Sequence, residues 1–358
     1  GRLRIVEDIN EARDVDFFVV TVGTPLLPHI ETDLSAVTRV IAQIGRIIVP
    51  GQCIIMRSTT APHTTRYVRT QLERESGLKV GEDLLLACCP ERILEGKARE
   101  ELRALPQVVG TEDERSAARA SELFGVMGVR VLHTDYITAE LVKLSNNIAR
   151  YAYFATANVL AMVAMEYGAE PHTVFELANT DYPRPIFGSP GFTAGTCLRK
   201  DFGMLSEAYW SGDILIESWR INESMPKFLI DQTKKRWGSL EDERVLVLGY
   251  SFKRDTDDVR DSLSAKLLRY LQRECPKSLV TQDPHVSEKD ISELRGLSFT
   301  PSLDEALQSP TLIYIATNHS LYTEQRARIL SLAESGRAKI VDLWDALGTG
   351  TVFIGKNA

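Results

Sequence analysis

Short β-branched runs alternate with segments of helical period in two stretches of this chain, and a helical stretch without Gly or Pro separates them. That alternation leaves few folds open. Residues 16–22 form an apolar run ending at Gly23, Thr24 and Pro25, the pattern of a buried parallel strand that exits into a ligand-facing loop. A helix is expected at about 33–48, with Asp33 or Ser35 as cap and Val37, Val40, Ile41 and Ile44 at helical spacing. A strand at 53–56 exits into 57–62, a helix runs near 64–76, and a strand at 84–89 exits into 90–96. A strand near 107–110, a helix near 114–126 and a strand near 129–133 complete the block. Strand and helix alternating in this way predict a doubly wound parallel sheet. Ligands of such sheets sit at the carboxyl ends of strands, so the exit loops carrying Thr24, Thr59 and Glu91 with Glu95 are expected to converge on one crevice.

Between Thr138 and about Tyr167 the period is helical, with Leu141, Leu144, Ile148, Ala155, Val159 and Met162 on one expected buried stripe. Lys143, Asn147 and Arg150 stack on another face. A solvated face would account for them, but Phe154, Ala161 and Met165 continue it, and a covered Lys needs a partner or a task. Gly168 ends this helix, a further one runs to about Asn179, and a loop rich in Pro and Gly occupies 180–196. Near Ser239 to Arg244 the composition turns polar, as in a linker, and Val245 to Gly249 opens a second α/β unit with strands at 278–282, 311–316 and 339–343. Its first strand exits into a charge-dense loop, 250–260, where a nucleotide phosphate would bind; Lys253 and Arg260 are candidates for phosphate or sugar contacts. The expected division is 1–134, 135–238 and 239–358: two Rossmann-like doubly wound domains joined by a long central helix.

Composition narrows the function classes. A chain of 358 residues has room for two or three domains, and its formal net charge of -7 argues against a nucleic-acid or membrane-surface binder. No apolar run approaching the roughly 20 residues of a membrane span stands out. The five cysteines, Cys53, Cys88, Cys89, Cys197 and Cys275, are too scattered for a disulfide framework and fit reduced thiols in a cytosolic protein. The six histidines do not approach each other at ligand spacing along the chain, which argues against a zinc site.

Residues 190–201 carry the chemistry. A glycine-spaced loop runs into Cys197, Lys200 and Asp201. A neighbouring cation favours a thiolate, and the aspartate one helical turn on can steer a water. The other reading is a small buried thiol before a helix.

These segments together resemble the UDP-glucose/GDP-mannose dehydrogenase family. The matching residues are Thr24 and Pro25; Ser58 and Thr59; Pro90 and Glu91 with Glu95 and Gly96; Ala139 and Glu140 with Val142, Lys143 and Leu144; Asn147; Asn158; 176–180; Cys197 and Leu198 with Lys200 and Asp201; and Phe252 and Lys253 with Asp257, Asp258 and Arg260. They lie in order along nearly the whole chain. Pro90 to Arg92 and Glu100 to Leu102 look more like the branch acting on UDP-N-acetylhexosamines. The resemblance implies NAD-dependent oxidation of the C6 alcohol of a UDP-sugar to the uronic acid, for polysaccharide precursor synthesis, in a cytoplasmic homodimer built on the central helix. It implies Cys197 as covalent carrier, Lys143 and Asn147 as oxyanion stabilisers, Asp201 with Glu91 as water-positioning groups, and Thr59 among the catalytic residues. It places Thr24, Ser58, Thr59, Glu95, Lys200 and Arg260 facing NAD. Toward the substrate it places Glu91, Arg92, Lys143, Asn147, Arg184, Gly188, Gly191, Phe252 and Lys253.

The family opens with a Gly-x-Gly-x-x-Gly turn that seats the NAD pyrophosphate, and no such fingerprint occurs in these residues. Residues 1–20 read like the chain after that βαβ portion, so the first domain is expected to be N-terminally incomplete. Thr196, Arg199 and His63 stand where the family often has His, Pro and Gly, and Tyr151, Tyr153 and Val159 replace polar residues. The alternatives are a catalytically silent relative kept for binding or assembly, or UDP-glucose or GDP-mannose as substrate. A cysteine hydrolase or acyltransferase is weaker, since no His falls at a motif position to serve as its base.

Overall fold

The computed structural model describes residues 3–27, 31–94, 96–184, 188–193, 195–206, 213–291 and 297–355; the side chains at 196, 197, 199, 206 and 213 lie outside that description. The chain divides into two compact units, Gly1–Ile148 with Lys200–Gly212, and Ala149–Arg199 with Asp213–Ala358.

In chain order the first part holds β1 (Phe17–Val20), β2 (Leu26–Leu27), β3 (Glu31–Thr32), α1 (Ser35–Ile47), β4 (Cys53–Met56), α2 (Thr64–Ser76), β5 (Leu85–Cys88), α3 (Ala98–Ala104), β6 (Gln107–Gly110), α4 (Glu114–Gly125) and β7 (Val131–Thr134). The main sheet has the order β1-β4-β5-β6-β7. Strands β1, β4 and β5 run parallel, as do β6 and β7, but β5 and β6 pair antiparallel through Cys88 and Gly110. The sheet is therefore mixed rather than wholly parallel. An apolar run shows that a strand is buried and not which way its neighbour points, so this junction has no signature in the sequence. Every residue of β4 and β5 is buried, as strands covered on both faces require. The N-cap of α1 is Leu34, which gives no side-chain cap, rather than Asp33 or Ser35; Asp33, one residue earlier, accepts from the Ser35 amide at 2.8 Å.

A single helix, α5 (Tyr136–Glu166), fills the expected central stretch. Contrary to the expectation of no such run, it is long and apolar enough, by length and composition alone, to cross a membrane. It is covered along one stripe: Leu144, Tyr151, Ala155 and Ala161 are buried, and so are Glu140, Asn147 and Asn158 on the same stripe. Leu141, expected on the buried stripe, is 37% exposed. Apolarity alone misplaced the stripe because three of its members are polar, and each of the three has its hydrogen bonds met by protein.

There follow α6 (Pro171–Asn179), α7 (Thr196–Ser206) and α8 (Asp213–Trp237), then β8 (Arg244–Leu248), α9 (Leu263–Arg273), β9 (Ser278–Gln282), β10 (Ser298–Thr300), α10 (Leu303–Ala306), β11 (Leu312–Ile315), α11 (Ser320–Glu324), α12 (Arg326–Glu334), β12 (Lys339–Val341) and β13 (Phe353–Ile354). The second sheet, β10-β9-β8-β11-β12-β13, is parallel except for β13. Its core packs α8 and α9 on one face, through Met225, Leu229, Ile230, Leu267 and Leu271, and α10 and α12 on the other, through Leu303, Ile329 and Leu332.

Candidate active-site groups

In the first unit the exits of β1 and β4 come together. The Thr24 hydroxyl, 2% exposed, donates to the Thr59 carbonyl at 2.6 Å, and Lys200 Nζ donates to Thr24 Oγ1 at 3.2 Å. Ser58 donates to the Val22 carbonyl at 2.6 Å. Hydroxyls beside a half-buried ammonium at the carboxyl ends of parallel strands suit a polar, anionic ligand. On α7, Asp201 is 1% exposed and accepts from Asn147 Nδ2 of α5 at 2.5 Å, with Lys200 Nζ 3.9 Å from its other oxygen. Lys143 lies one turn before Asn147 on α5 and is half-buried, while Arg150 is exposed.

Glu91 is engaged otherwise than a free base would be. Arg57 donates to one of its oxygens, and the amides of Arg92 and Ile93 donate to the other at 2.7 and 2.9 Å. Arg57, buried, also holds the Cys89 carbonyl and Gln107 at 2.9 Å each. The pair therefore shapes the β5 exit loop. The Arg92 guanidinium turns to the Pro106 carbonyl. Glu95 lies outside the described residues.

The sequence reading left out the role of Glu140. From α5 it accepts from the His63 amide at 2.7 Å, from the Thr65 amide at 2.7 Å and from the Thr65 hydroxyl at 2.6 Å. It thus caps α2 and ties the loop after Thr59 to the helix that carries Lys143 and Asn147. Burial pushes its carboxyl up, against the pull of those donors. His63 has φ 71, a left-handed conformation in which glycine costs least. The N-cap residue, His63, is not one of the Ser, Thr, Asp or Asn cap types and makes no side-chain cap bond, so only the Glu140 position on a helix facing the loop could have given a hint.

In the second unit Cys197 stands in the first turn of α7; its side chain lies outside the described residues. Gly195, just before it, has φ +100, and a Cβ there would lie 2.7 Å from the Phe252 ring. The loop that delivers Cys197 and the loop that carries Phe252 and Lys253 therefore touch. Asn158 clasps Gly191 like a strand partner, accepting from its amide at 2.9 Å and donating to its carbonyl at 3.0 Å, and also donates to Asn222 at 2.9 Å. Gly188 and Gly191 are packed against protein: a Cβ would meet Tyr153 at 2.8 Å and Trp344 at 2.2 Å, respectively.

Lys253, half-buried, has its carbonyl bonded by Ser251 and Thr256. Arg260, exposed, folds onto Asp258 through Nε at 2.9 Å and Nη2 at 2.5 Å, and that hydrogen bond holds the Asp258 carboxyl below its usual range. Arg184 stacks over Tyr182 and donates to its hydroxyl at 2.6 Å. The site residues thus fall into two groups: Thr24, Ser58, Thr59, Glu91, Arg92, Lys143, Asn147, Lys200 and Asp201 in the first unit, and Arg184, Gly188, Gly191, Cys197, Phe252, Lys253 and Arg260 in the second.

Three family models match this chain in succession: the NAD binding domain of the UDP-glucose/GDP-mannose dehydrogenase family over 1–127, its central domain over 137–224 and its UDP binding domain over 246–349. The UDP-N-acetyl-D-mannosamine dehydrogenase of Pyrococcus horikoshii is 32% identical over 348 residues, covering 95% of this chain and 80% of that protein. Its solved structure superimposes with a TM-score of 0.84 at 30% identity, over 96% of this chain and 80% of that one. A UDP-glucose dehydrogenase from Pyrobaculum islandicum gives a TM-score of 0.80 at 26% identity, over 94% and 78% of the two chains. An NDP-N-acetyl-D-galactosaminuronic acid dehydrogenase from Ralstonia solanacearum is 28% identical over 324 residues, 87% of this chain and 75% of that protein.

Proposed function

Since the chain belongs to the UDP-glucose/GDP-mannose dehydrogenase family and is an NAD-dependent nucleotide sugar dehydrogenase, we propose that it oxidises the C6 alcohol of a UDP-N-acetylhexosamine to the uronic acid through Cys197. The substrate branch rests on the N-acetylmannosamine relative and on the residues at 90–92 and 100–102. One observation carries the mechanism: the segment leading into Cys197 packs on the Phe252 loop, so the thiol's helix begins beside the loop proposed to hold the sugar nucleotide.

The polar cluster of Thr24, Ser58 and Thr59 at the exits of β1 and β4, with the Lys200 ammonium beside it, suits NAD. When bound, NAD accepts the hydride at each of the two oxidations. The chain's own residues do the rest. The alcohol proton leaves through water held by Asp201, and the Cys197 thiolate adds to the C6 aldehyde as a thiohemiacetal. Lys143 and Asn147 stabilise its oxyanion. Loss of the second hydride leaves a thioester, which water positioned by Asp201 hydrolyses to carboxylate and free thiol. Glu91, gripped by Arg57, orients the β5 exit loop toward substrate and takes no proton in this scheme. Lys253 and Phe252 hold the sugar nucleotide, with Arg92, Arg184, Gly188 and Gly191 shaping that pocket and Arg260 facing NAD. The working form is a cytoplasmic homodimer built on α5, divided functionally at 134 and 238, that supplies polysaccharide precursors.

The test is absorbance of NADH with UDP-N-acetylmannosamine, UDP-N-acetylglucosamine and UDP-glucose as substrates. Two NADH per sugar are expected, and turnover fastest on an N-acetylated sugar. Cys197→Ser should lose net acid production by at least a thousandfold, on the scale of deleting a covalent nucleophile. Unchanged acid production in that variant would overturn the covalent step, and absence of turnover on every sugar would favour a silent relative.

A further inference from the structure

At the carboxyl ends of three adjacent strands, β9, β8 and β11, the exit loops bring together His285, Asp255 and His319. His285 Nε2 lies 3.6 Å and His319 Nδ1 3.7 Å from the same oxygen, Asp255 Oδ1, and the three ligand atoms are all within 4.8 Å of one another. We propose that these three side chains form a binding site for a divalent transition metal of the Zn²⁺ type.

The geometry is close to what such an ion needs. Metal–nitrogen and metal–oxygen bonds of about 2.0–2.2 Å in a tetrahedral shell set neighbouring ligand atoms roughly 3.4 Å apart. Both separations to Asp255 Oδ1 exceed that by only a few tenths of an ångström; closing the site needs the three ligand atoms, now within 4.8 Å, to draw together and the Asp255 amide to move off His319 Nδ1.

The protons are arranged to match. His319 is fully buried, and its Nε2 lies 3.0 Å from Oδ2 of Asp283, also fully buried. That oxygen accepts from the Tyr250 and Ser251 amides as well, at 2.7 and 2.9 Å. A carboxylate is acceptor-only, so Nε2 carries the ring proton and Nδ1 presents a lone pair toward Asp255. A histidine whose far nitrogen donates to a buried carboxylate is the usual supporting arrangement of a metal ligand. The Asp255 amide now donates to that lone pair at 2.9 Å, so binding exchanges one neutral hydrogen bond for a metal–nitrogen bond.

Asp255 Oδ1 also accepts from the Ser320 amide at 2.9 Å, while Arg254 faces the other oxygen, Oδ2, at 3.4 Å. One lone pair of Oδ1 is left for a cation. His285 is 39% exposed, which gives the ion an entry and a water for its fourth position. Two imidazoles and one carboxylate select Zn²⁺, Co²⁺ or Ni²⁺ over Mg²⁺ or Ca²⁺. Bound metal would pin the loop carrying Phe252 and Lys253 to the exits of β9 and β11. The site does not depend on which sugar is oxidised.

The experiment uses the tag-free full chain, stripped with chelator and titrated with ZnCl₂ by calorimetry, with CoCl₂ absorption as a second readout. One equivalent should bind, with tetrahedral Co²⁺ bands. His285→Ala and Asp255→Asn, both at positions open to solvent, should each weaken binding at least tenfold with the far-ultraviolet dichroism unchanged. No saturable binding by the parent chain, or equal affinity in the parent and in whichever variants fold, would overturn the assignment.

Discussion

Asp342 shows at the scale of one residue how burial and donors compete. Its carboxylate caps the turn after β12, accepting from the Ala346 and Leu347 amides at 3.0 and 2.9 Å, yet burial pushes it up from 3.8 to about 6, with the Asp345 charge adding to the rise. A raised acid is favoured in the folded chain while protonated. Its contribution is therefore full below about 3.8 and lost as the pH rises through about 6. The interval corresponds to about 3 kcal/mol. In urea unfolding, the stability of the parent relative to Asp342→Asn should fall by about that amount between pH 4 and pH 7, and a pH-independent difference would contradict the shift. His63 makes a related point: its left-handed backbone is held by the Glu140 bond to its own amide. Chain spacing foresaw neither partnership, because Glu140 and His63 are distant in sequence, as are His285 and His319.

Elements explain how far the pattern of residues could be read. The strands at 53–56 and 107–110 and the helix at 64–76 stand where periodicity puts them, because the strands are buried on both faces and the helix buries one stripe; the strand at 278–282 stands there too, though only its last two residues are buried. Strands β2, β3, β10 and β13, two or three residues long, are too short to carry a period. Among the candidate site residues, those at strand exits and on α5 were legible because loops at carboxyl ends and polar positions on an apolar helix are chemically conspicuous. Arg57 was not, since nothing in its neighbours shows that it would reach across to Glu91. The Gly191 segment yields a prediction at this scale. Asn158 fixes its backbone from both sides, and a Cβ would sit 2.2 Å from Trp344. Gly191→Ala should therefore destabilise the protein by about 1–3 kcal/mol, read as a lower urea midpoint with unchanged slope. An unchanged midpoint would mean that Trp344 yields freely.

For the whole molecule, the second unit leaves large apolar side chains in water: Tyr167 at 88%, Leu177 at 71% and Ile214 at 74% exposure. Scattered apolar residues are ordinary on a surface, but side chains of this size, so fully exposed beside α5, on α6 and on α8, are what a homodimer built on α5 would cover. Sedimentation velocity should show a dimer at micromolar concentration, and Leu177→Asp should shift it toward monomer at least tenfold in dissociation constant. A parent chain that sediments as a monomer would remove the proposed assembly.

The thiols of the first unit have a use beyond packing. Cys53 and Cys88 are pushed up to about 12 by burial, and Cys89 is raised well above its ordinary value. Buried and with their thiols pushed up, all three should react slowly at neutral pH with alkylating reagents, which consume thiolate. With exposed Cys275 exchanged for serine, the chain becomes a single-thiol reporter for position 197. Mass spectrometry of iodoacetamide adducts could then follow the occupancy of that position during turnover against a low background.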